Sequence, residues 1–269
     1  MKHSIIIPHR DRLYHLQLCV HSIAASAVEC GVEDYEIIVV ENGSYFMPML
    51  RGAVRVINDC RPMMVFNKPK LQNVGMDHAT GNVLSFLDAD AIVGPRWMGS
   101  TRRLLEDTML TKVCYDVAYL PVEISCRAGT SDQVDMDILR FCRDVFGSVE
   151  RYDELPSGFE ARVQPDWPLS RWMHLIRGNR LPEPLFGNSQ FSILRDKLGD
   201  LRFDEGYEGA GYEDIAMNRA IWRKFGKEYR AEMPSDPAEN LLHLTHRMDT
   251  PGWRVPSALN VNVERYRRT

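Results

Sequence analysis

The stretch that most restricts the fold is Val83-Leu84-Ser85-Phe86-Leu87-Asp88-Ala89-Asp90-Ala91. Val83 to Leu87 is an apolar run after Gly81, long enough for a central strand and too short for a helix. It runs straight into two carboxylates one residue apart, Asp88 and Asp90. In an open α/β sheet the carboxyl end of such a strand lies in the crevice where ligands bind. Paired carboxylates repel each other and are costly to bury unless a cation compensates them. Their oxygens suit Mg²⁺ or Mn²⁺, which commonly bind one or two carboxylates together with substrate phosphates. The stretch is therefore a candidate metal–diphosphate site, with a solvated strand end as the plain alternative.

The residues upstream supply a sheet for it. Ser4 to Ile7 reads as a buried strand ended by Pro8, and the loop Pro8-His9-Arg10-Asp11-Arg12 follows. Leu13, Leu16, Val20, Ile23, Ala24 and Ala27 recur at helical spacing. A second strand, Tyr35 to Val40, enters the turn Glu41-Asn42-Gly43-Ser44. This strand–helix–strand order opens a nucleotide-binding α/β sheet, whose ligand-binding residues belong on the loops after the strands. Arg10 and Arg12 match phosphate oxygens with their guanidinium forks. Glu41 can accept hydrogen bonds from a ribose or base. Exposed helix-start arginines and a solvated turn carboxylate would look the same.

Short strands are expected at Val54 to Ile57 and Met63 to Phe66, and a helical stretch ending near Gly81 after Lys68-Pro69-Lys70-Leu71-Gln72-Asn73-Val74-Gly75. Asn73 is a candidate nucleotide reader and Gly75 a point of close backbone approach; capping explains both equally well. Pro95 is expected in the first turn of the next helix. Lys112 to Ser125 contains another strand, with alternation at Val113, Tyr115, Val117 and Tyr119. A helix is expected over Val134 to Phe146, then an irregular stretch to Pro184 containing Trp167 and Trp172. Such irregular stretches often form lids or substrate loops.

After a strand over Leu185 to Leu194, a glycine-rich loop leads to Glu213 and Asp214 at the start of a helix. Met217, Ile221 and Phe225 form its buried stripe, and Gly226 closes it. The acidic pair suits the helix dipole and also suits a catalytic base. His243 and His246 lie three residues apart near the end of a strand, where both reach one metal only if the chain bends. The tail from Thr250, with Arg265-Tyr266-Arg267-Arg268, reads as a solvated end.

A net charge of −4 gives no footprint for nonspecific nucleic-acid binding. No apolar run approaches the roughly 20 residues that span a bilayer. The six cysteines include no C-x-x-C pair, which argues against a zinc cage. With Met1-Lys2-His3 running directly into a strand, the expectation is a soluble, cytoplasmic protein.

Taken in order, these elements resemble A-type-fold glycosyltransferases of family 2. They are similar in finer detail to the animal family that transfers galactose or N-acetylgalactosamine from UDP-sugars. The carrying motifs are "IIIPHRDR", "KLQNVGMDHATGNVLSFLDADA", "GAGYEDIAMNRA" and "LLHLTHR", spread over residues 4–44, 68–98 and 185–247. The resemblance implies an α/β fold with one Rossmann-like nucleotide-binding domain over residues 1–269, its central mixed sheet flanked by helices. Residues 1–125 would bind the nucleotide-sugar; residues 126–269 would bind the acceptor and supply catalysis.

By the same resemblance Pro8, Arg10 and Arg12 fall at the nucleotide and diphosphate, Glu41 near the base or ribose, and Asn73 at the donor. Asp88 faces the ribose and metal, and Asp90 binds Mn²⁺ or Mg²⁺ directly. His246 matches a metal-binding histidine, and His243 occupies a second ligand position that is a methionine in the animal enzymes. Asp214, following Glu213, matches the general base of an inverting transfer to an acceptor hydroxyl of a carbohydrate or other molecule. The acceptor side departs from the pattern: Glu208 and Ala210 replace aromatic residues, and Tyr212 replaces a glycine. Competing readings are a noncatalytic scaffold or sugar-nucleotide-binding protein of this fold, a sugar-nucleotidyltransferase, and a transferase acting on modified nucleic acid.

Overall fold

The computed structural model describes residues 1–45, 50, 52–59, 65–107, 109–115, 117–120, 136–148, 160–162, 190–209, 211–234, 236–244, 261–262, 264–265 and 268. Strands β1 (His3–His9), β2 (Tyr35–Glu41) and β3 (Val54–Asn58) pair in parallel. The chain then returns through helix α2 (Lys68–His78) to place β4 (Val83–Phe86) on the other side of β1. With β9 (Phe191–Leu194), β6 (Lys112–Cys114) and β10 (Ala231–Glu232), the sheet order is β10-β6-β9-β4-β1-β2-β3. β9 runs antiparallel to β4 and β6, so the sheet is mixed. The reversal of strand order between β1 and β4 is a topological switch point, where such sheets open a ligand crevice.

Both faces of this sheet are covered. Ile5, Ile7, Ile37 and Val39 pack with Leu16, Cys19 and Ile23 of α1 (Leu13–Glu29) and with Trp97 and Met98 of α3 (Trp97–Leu105). Ile6, Ile38 and Val40 point the other way, against Leu71 and Met76 of α2 and, through Phe86 and Phe191, toward Met217 and Ile221. Continuous apolar runs such as Ile5-Ile6-Ile7 are what a strand covered on both faces requires. A smaller sheet, β5-β11-β7-β8, is built from β5 (Ala91–Val93), β7 (Val117–Tyr119), β8 (Glu160–Arg162) and β11 (Leu241–His243).

Several sequence expectations are corrected. Pro8 does not end β1, which runs to His9. Pairing to β4 stops at Ile6↔Phe86, and Leu87 N–H donates to Ile6 O. Pro8 shares the parity of Ile6, so its missing N–H falls on the side where pairing has already ended. The strand expected within Lys112 to Ser125, with alternation from Val113 to Tyr119, is two strands in two sheets, because the chain leaves the large sheet after Cys114 and enters the small one at Val117; residues 121–125 lie outside the described residues. The N-V-G segment lies inside α2, which starts at Lys68 with Asn67 Oδ1 accepting from Lys70 N–H at 2.9 Å. Phe66 is loop rather than strand, while Met63 and Met64 lie outside the described residues. Pro95 sits before α3, whose N-cap is Arg96. The tail is not wholly solvated: residues 261, 262, 264, 265 and 268 are helical, and Asn262 is 1% exposed.

Burial inside the large sheet includes a polar chain. His3 Nε2 meets Ser85 Oγ at 2.6 Å, Ser85 bonds Ser192, and Tyr115 OH bonds both Ser192 (2.5 Å) and Thr101 (2.7 Å). Burial pushes the His3 imidazole down to about 3, with Arg102 adding in the same direction. Nearby, the fully buried Lys112 ammonium bonds Asn218 Oδ1 and lies 5.0 Å from the Phe191 ring. Asn218, which lies in the GAGYEDIAMNRA motif, thus accepts a hydrogen bond from a buried lysine. No described helix is long and apolar enough to cross a membrane.

Candidate active site

The loops after β1 and β4 meet at the switch point. Pro8, Arg10, Arg12, Phe66, Lys68, Asp88, Ala89 and Asp90 line an open cleft. The β1 loop is clipped to the loop after β2 on both sides. Arg10 Nε donates to Asn42 O at 2.7 Å, and its terminal nitrogen to Asn42 Oδ1. Asp11, at φ 56°, takes Tyr45 N–H on Oδ1 (2.7 Å) and gives its own N–H to Ser44 Oγ (2.7 Å). The Arg10 guanidinium also lies 5.6 Å from the Phe66 ring centroid, a cation–π distance that flattens it against the cleft wall.

Glu41 is buried beneath this loop. It bonds His9 Nδ1 and accepts Ser44 N–H on Oε1 at 2.6 Å. Burial works to raise its carboxyl, but the hydrogen bonds from His9 and Ser44 outweigh it and hold the group below its ordinary range. His9 Nε2 then accepts the Arg12 N–H at 3.2 Å, so Glu41 acts on the phosphate loop through His9.

Both carboxylates of the D-x-D turn are met by cations. Arg12 donates to Asp90 Oδ2 at 2.6 Å, and Lys68 Nζ pairs with Asp88 Oδ1. Asp90 is 3% exposed, and such a charge is kept only where opposite charge compensates it. His243, at the end of β11, brings Nε2 to 3.2 Å from Asp90 Oδ1 and packs on the Tyr119 ring. Its strand is fixed in place by Leu244 N–H donating to Asp90 O at 2.9 Å. Among the described residues, no group of three or more His, Cys, Asp or Glu side chains gathers around one metal position. Asp88, Asp90 and His243 nevertheless fit a hard divalent cation such as Mn²⁺ by donor type: two carboxylates and one imidazole, two of them already converging. His246, Trp167 and Trp172 lie outside the described residues.

Glu213 and Asp214 open the helix α6 (Glu213–Phe225), as the sequence predicts. Burial first, and then the Glu213 charge, push the Asp214 carboxyl up to about 7, against the opposing pull of Lys68. Burial works against the Lys68 charge, but Asp88 and then Glu213 raise the group above its ordinary range. Lys68 therefore stands between the D-x-D turn and the acidic helix start and feels both. Asn73 has a different position from that expected of a nucleotide reader. Its amide donates to Phe203 O (3.0 Å) and Glu205 Oε1 (2.9 Å), and its Oδ1 accepts Phe203 N–H (2.9 Å). It anchors the loop that leads to α6.

His9, Phe66 and Lys68 are site residues that sequence reasoning did not single out. Lys68 carried a usable signal: a cation at the first position of a helix runs against the macrodipole, so something local must favour it. His9 and Phe66 carried none, because His9 is placed by Glu41, 32 positions away, and Phe66 by the cleft itself.

Residues 4–124 match the family model described as glycosyl transferase family 2. No curated protein matches the chain. Among solved structures, glucosyl-3-phosphoglycerate synthase from Mycobacterium tuberculosis, in complex with Mn²⁺, UDP and phosphoglyceric acid, matches with TM-score 0.55 and 16% identity, covering 97% of this chain and 78% of that one. Residues 1–349 of S. aureus TarS match with TM-score 0.51 and 14% identity, over 90% of this chain and 60% of that one. A mannosyltransferase from Pyrobaculum calidifontis, in complex with GDP-mannose and Mn²⁺, matches with TM-score 0.52 and 14% identity, over 100% of this chain and 64% of that one. The chain thus spans about 60% of the TarS segment. At these identities the likeness is one of fold: the chain has the A-type glycosyltransferase fold.

Proposed function

We propose that the chain transfers a hexosyl group, of galactose or N-acetylgalactosamine type, from a UDP-sugar to an acceptor hydroxyl with inversion. The observation that carries this reading is the arrangement around Lys68. The D-x-D turn with its Arg12 and Lys68 partners lies on one side, and the acidic pair Glu213–Asp214 lies within electrostatic reach on the other. A donor diphosphate held by Arg10, Arg12 and the D-x-D turn would present its anomeric carbon toward the start of α6.

In that pose Asp214 takes the proton of the acceptor hydroxyl as its oxygen bonds to the anomeric carbon. The bond to the UDP oxygen breaks, and its electron pair leaves with the diphosphate. A base with its carboxyl near 7 has useful proton affinity at neutral pH, which an ordinary carboxylate lacks. Arg10 and Arg12 receive the charge that grows on the leaving group. Asp88, Asp90 and His243 would hold Mn²⁺ or Mg²⁺, with His246 as a further donor, and such an ion supplies Lewis-acid stabilisation of the leaving diphosphate. Glu41 and His9 set the loop geometry. Residues 1–125 serve the donor, and residues 126–269 supply the base and acceptor contacts.

The test is release of UDP from a panel of UDP-sugars, with GDP-mannose as a control, in Mn²⁺ or in chelator. Slow UDP-galactose or UDP-N-acetylgalactosamine hydrolysis that needs Mn²⁺ and disappears in Asp90→Ala supports the donor and metal assignments. Asp214→Asn should bind donor normally and fail in transfer. Binding of GDP-mannose in preference to every UDP-sugar would overturn the donor assignment.

A further inference from the structure

We infer that the C-terminal helical segment is a strap that fixes the loop feeding the catalytic helix, with Asn262 and Arg265 as positioning residues for Asp214; this rests on the reading above. The loop, residues 203–212, is held from two sides. On its inner side it is tied to the start of α2. Asn67 Nδ2 donates to Glu205 O (2.7 Å), Asn73 takes Phe203 and Glu205, and Gly209 N–H donates to Phe66 O (2.9 Å). Its outer side is tied by the tail. The Asn262 amide donates to Glu208 O (2.9 Å) and Gly211 O (3.1 Å), pinning both ends of the glycine turn while itself 1% exposed. Three residues further on, Arg265 grips Asp204 through Nε (2.8 Å) and a terminal nitrogen (2.6 Å), and its guanidinium lies 5.5 Å from the Tyr207 ring.

The backbone gives this clasp a task. Tyr212 is the N-cap of α6 and sits at φ 71°, a left-handed conformation that a side chain makes unfavourable. Such strain persists only where the surroundings over-determine it, typically at functional sites. The carbonyl immediately before Tyr212 is that of Gly211, which Asn262 holds. Glu213 and Asp214 follow directly. When the clasp releases, Tyr212 is free to relax toward ordinary φ, and the first turn of α6 moves with it. The residues that line the donor cleft come from the loops after β1 and β4 and from the start of α2.

Gly206 offers an independent handle. A Cβ there would lie 2.2 Å from the Arg265 guanidinium carbon, so Gly206→Ala displaces the fork without altering either member of the ion pair. Four variants form the test: Asn262→Asp, which turns an amide donor into an acceptor facing two carbonyls, Arg265→Ala, Arg265→Lys and Gly206→Ala. Hydrogen exchange of the amides at residues 206–212 is read in the full chain, alongside thermal midpoint, donor KM and transfer kcat. The expected result is faster exchange of the Gly209 amide and its neighbours, unchanged donor KM and transfer kcat lowered at least tenfold, with an unfolding midpoint near wild type in the Arg265 and Gly206 variants and a lower one in Asn262→Asp, which buries a carboxylate without a cation. Arg265→Lys, which keeps the charge without the fork, should fall between Arg265→Ala and wild type. Unchanged exchange would overturn the strap, and faster exchange with unchanged kcat would overturn its positioning role. A wild-type chain that transfers no sugar would sink the proposed function instead, while exchange would still decide whether the strap holds the loop.

Discussion

Gly75→Ala tests how the sheet and the site are joined. Gly75 lies in α2, and a Cβ there would stand 2.3 Å from Ile6 Cγ2 and 3.3 Å from Val40 Cγ2. Ordinary carbon contacts begin near 3.5 Å, so α2 would have to lift by roughly 1 Å or Ile6 would have to turn. Ile6 is fully buried on the central strand and β-branched, so it has little rotameric freedom to yield. Overpacking of this kind costs about 1–3 kcal/mol, against about 1 kcal/mol gained from alanine over glycine in a helix interior. The net expectation is a loss of about 0–2 kcal/mol, or up to roughly 8 °C in thermal midpoint for a chain of this size. The lift also carries Lys68 and Asn73 away from Asp88 and the residue 203–205 loop, so sugar-transfer activity should fall with stability. Urea or thermal unfolding of Gly75→Ala alone, Ile6→Ala alone and the double variant makes a mutant cycle. If contact with Ile6 Cγ2 is the cause, the cost of Gly75→Ala vanishes in the Ile6→Ala background. A cost that is the same in both backgrounds, or a single variant more stable than wild type, would refute the argument.

Four further outcomes follow from the charges. Because the Asp214 carboxyl is raised to about 7, transfer rate should climb through neutral pH as it deprotonates, and Asp214→Asn should remove that limb along with the activity. The same shift acts oppositely on stability: the folded state binds the proton more tightly, so its advantage declines between the ordinary carboxylate range and about pH 7 and is level above it. Lys68→Met should push the Asp214 limb to more alkaline pH, since Lys68 is the charge that opposes its protonation; each unit of displacement lowers the rate about tenfold at fixed pH below the limb. His3 is held neutral with its imidazole near 3, so stability should fall as pH drops below the ordinary histidine range, and His3→Gln should flatten that slope in acid titrations followed by circular dichroism.

The elements that could be read from sequence were those whose signal is local. The apolar runs of β1 and β2, the period of α1 and the acidic start of α6 each lie within one short window, and each stands where expected. Asp88 and Asp90 were legible because a buried strand ending in two carboxylates needs compensating charge wherever it folds. What answers that need was not legible. Arg12 reaches Asp90 across 78 positions, Asn73 reaches Phe203 across 130, and Asn262 reaches Gly211 across 51. Such pairings depend on the order in which the strands are laid down, which periodicity does not encode.

The same distinction explains the tail and Asn73, the two places where the chain departs most from its sequence reading. A polar, arginine-rich terminus and a polar residue beside a donor motif both suggest solvent or ligand when taken alone. In the fold they face the same ten-residue loop from opposite sides, Asn73 through the backbone and side chain of residues 203–205 and Asn262 through the carbonyls of residues 208 and 211. A glycine-rich loop has a large conformational entropy to lose, and each amide clamp removes part of that freedom before substrate arrives. Held this way, the base on α6 is positioned by contacts made outside the donor cleft. Donor affinity and transfer rate should then respond to different residues: Arg10, Arg12 and Asp90 for the first, and Asn73, Asn262 and Arg265 for the second.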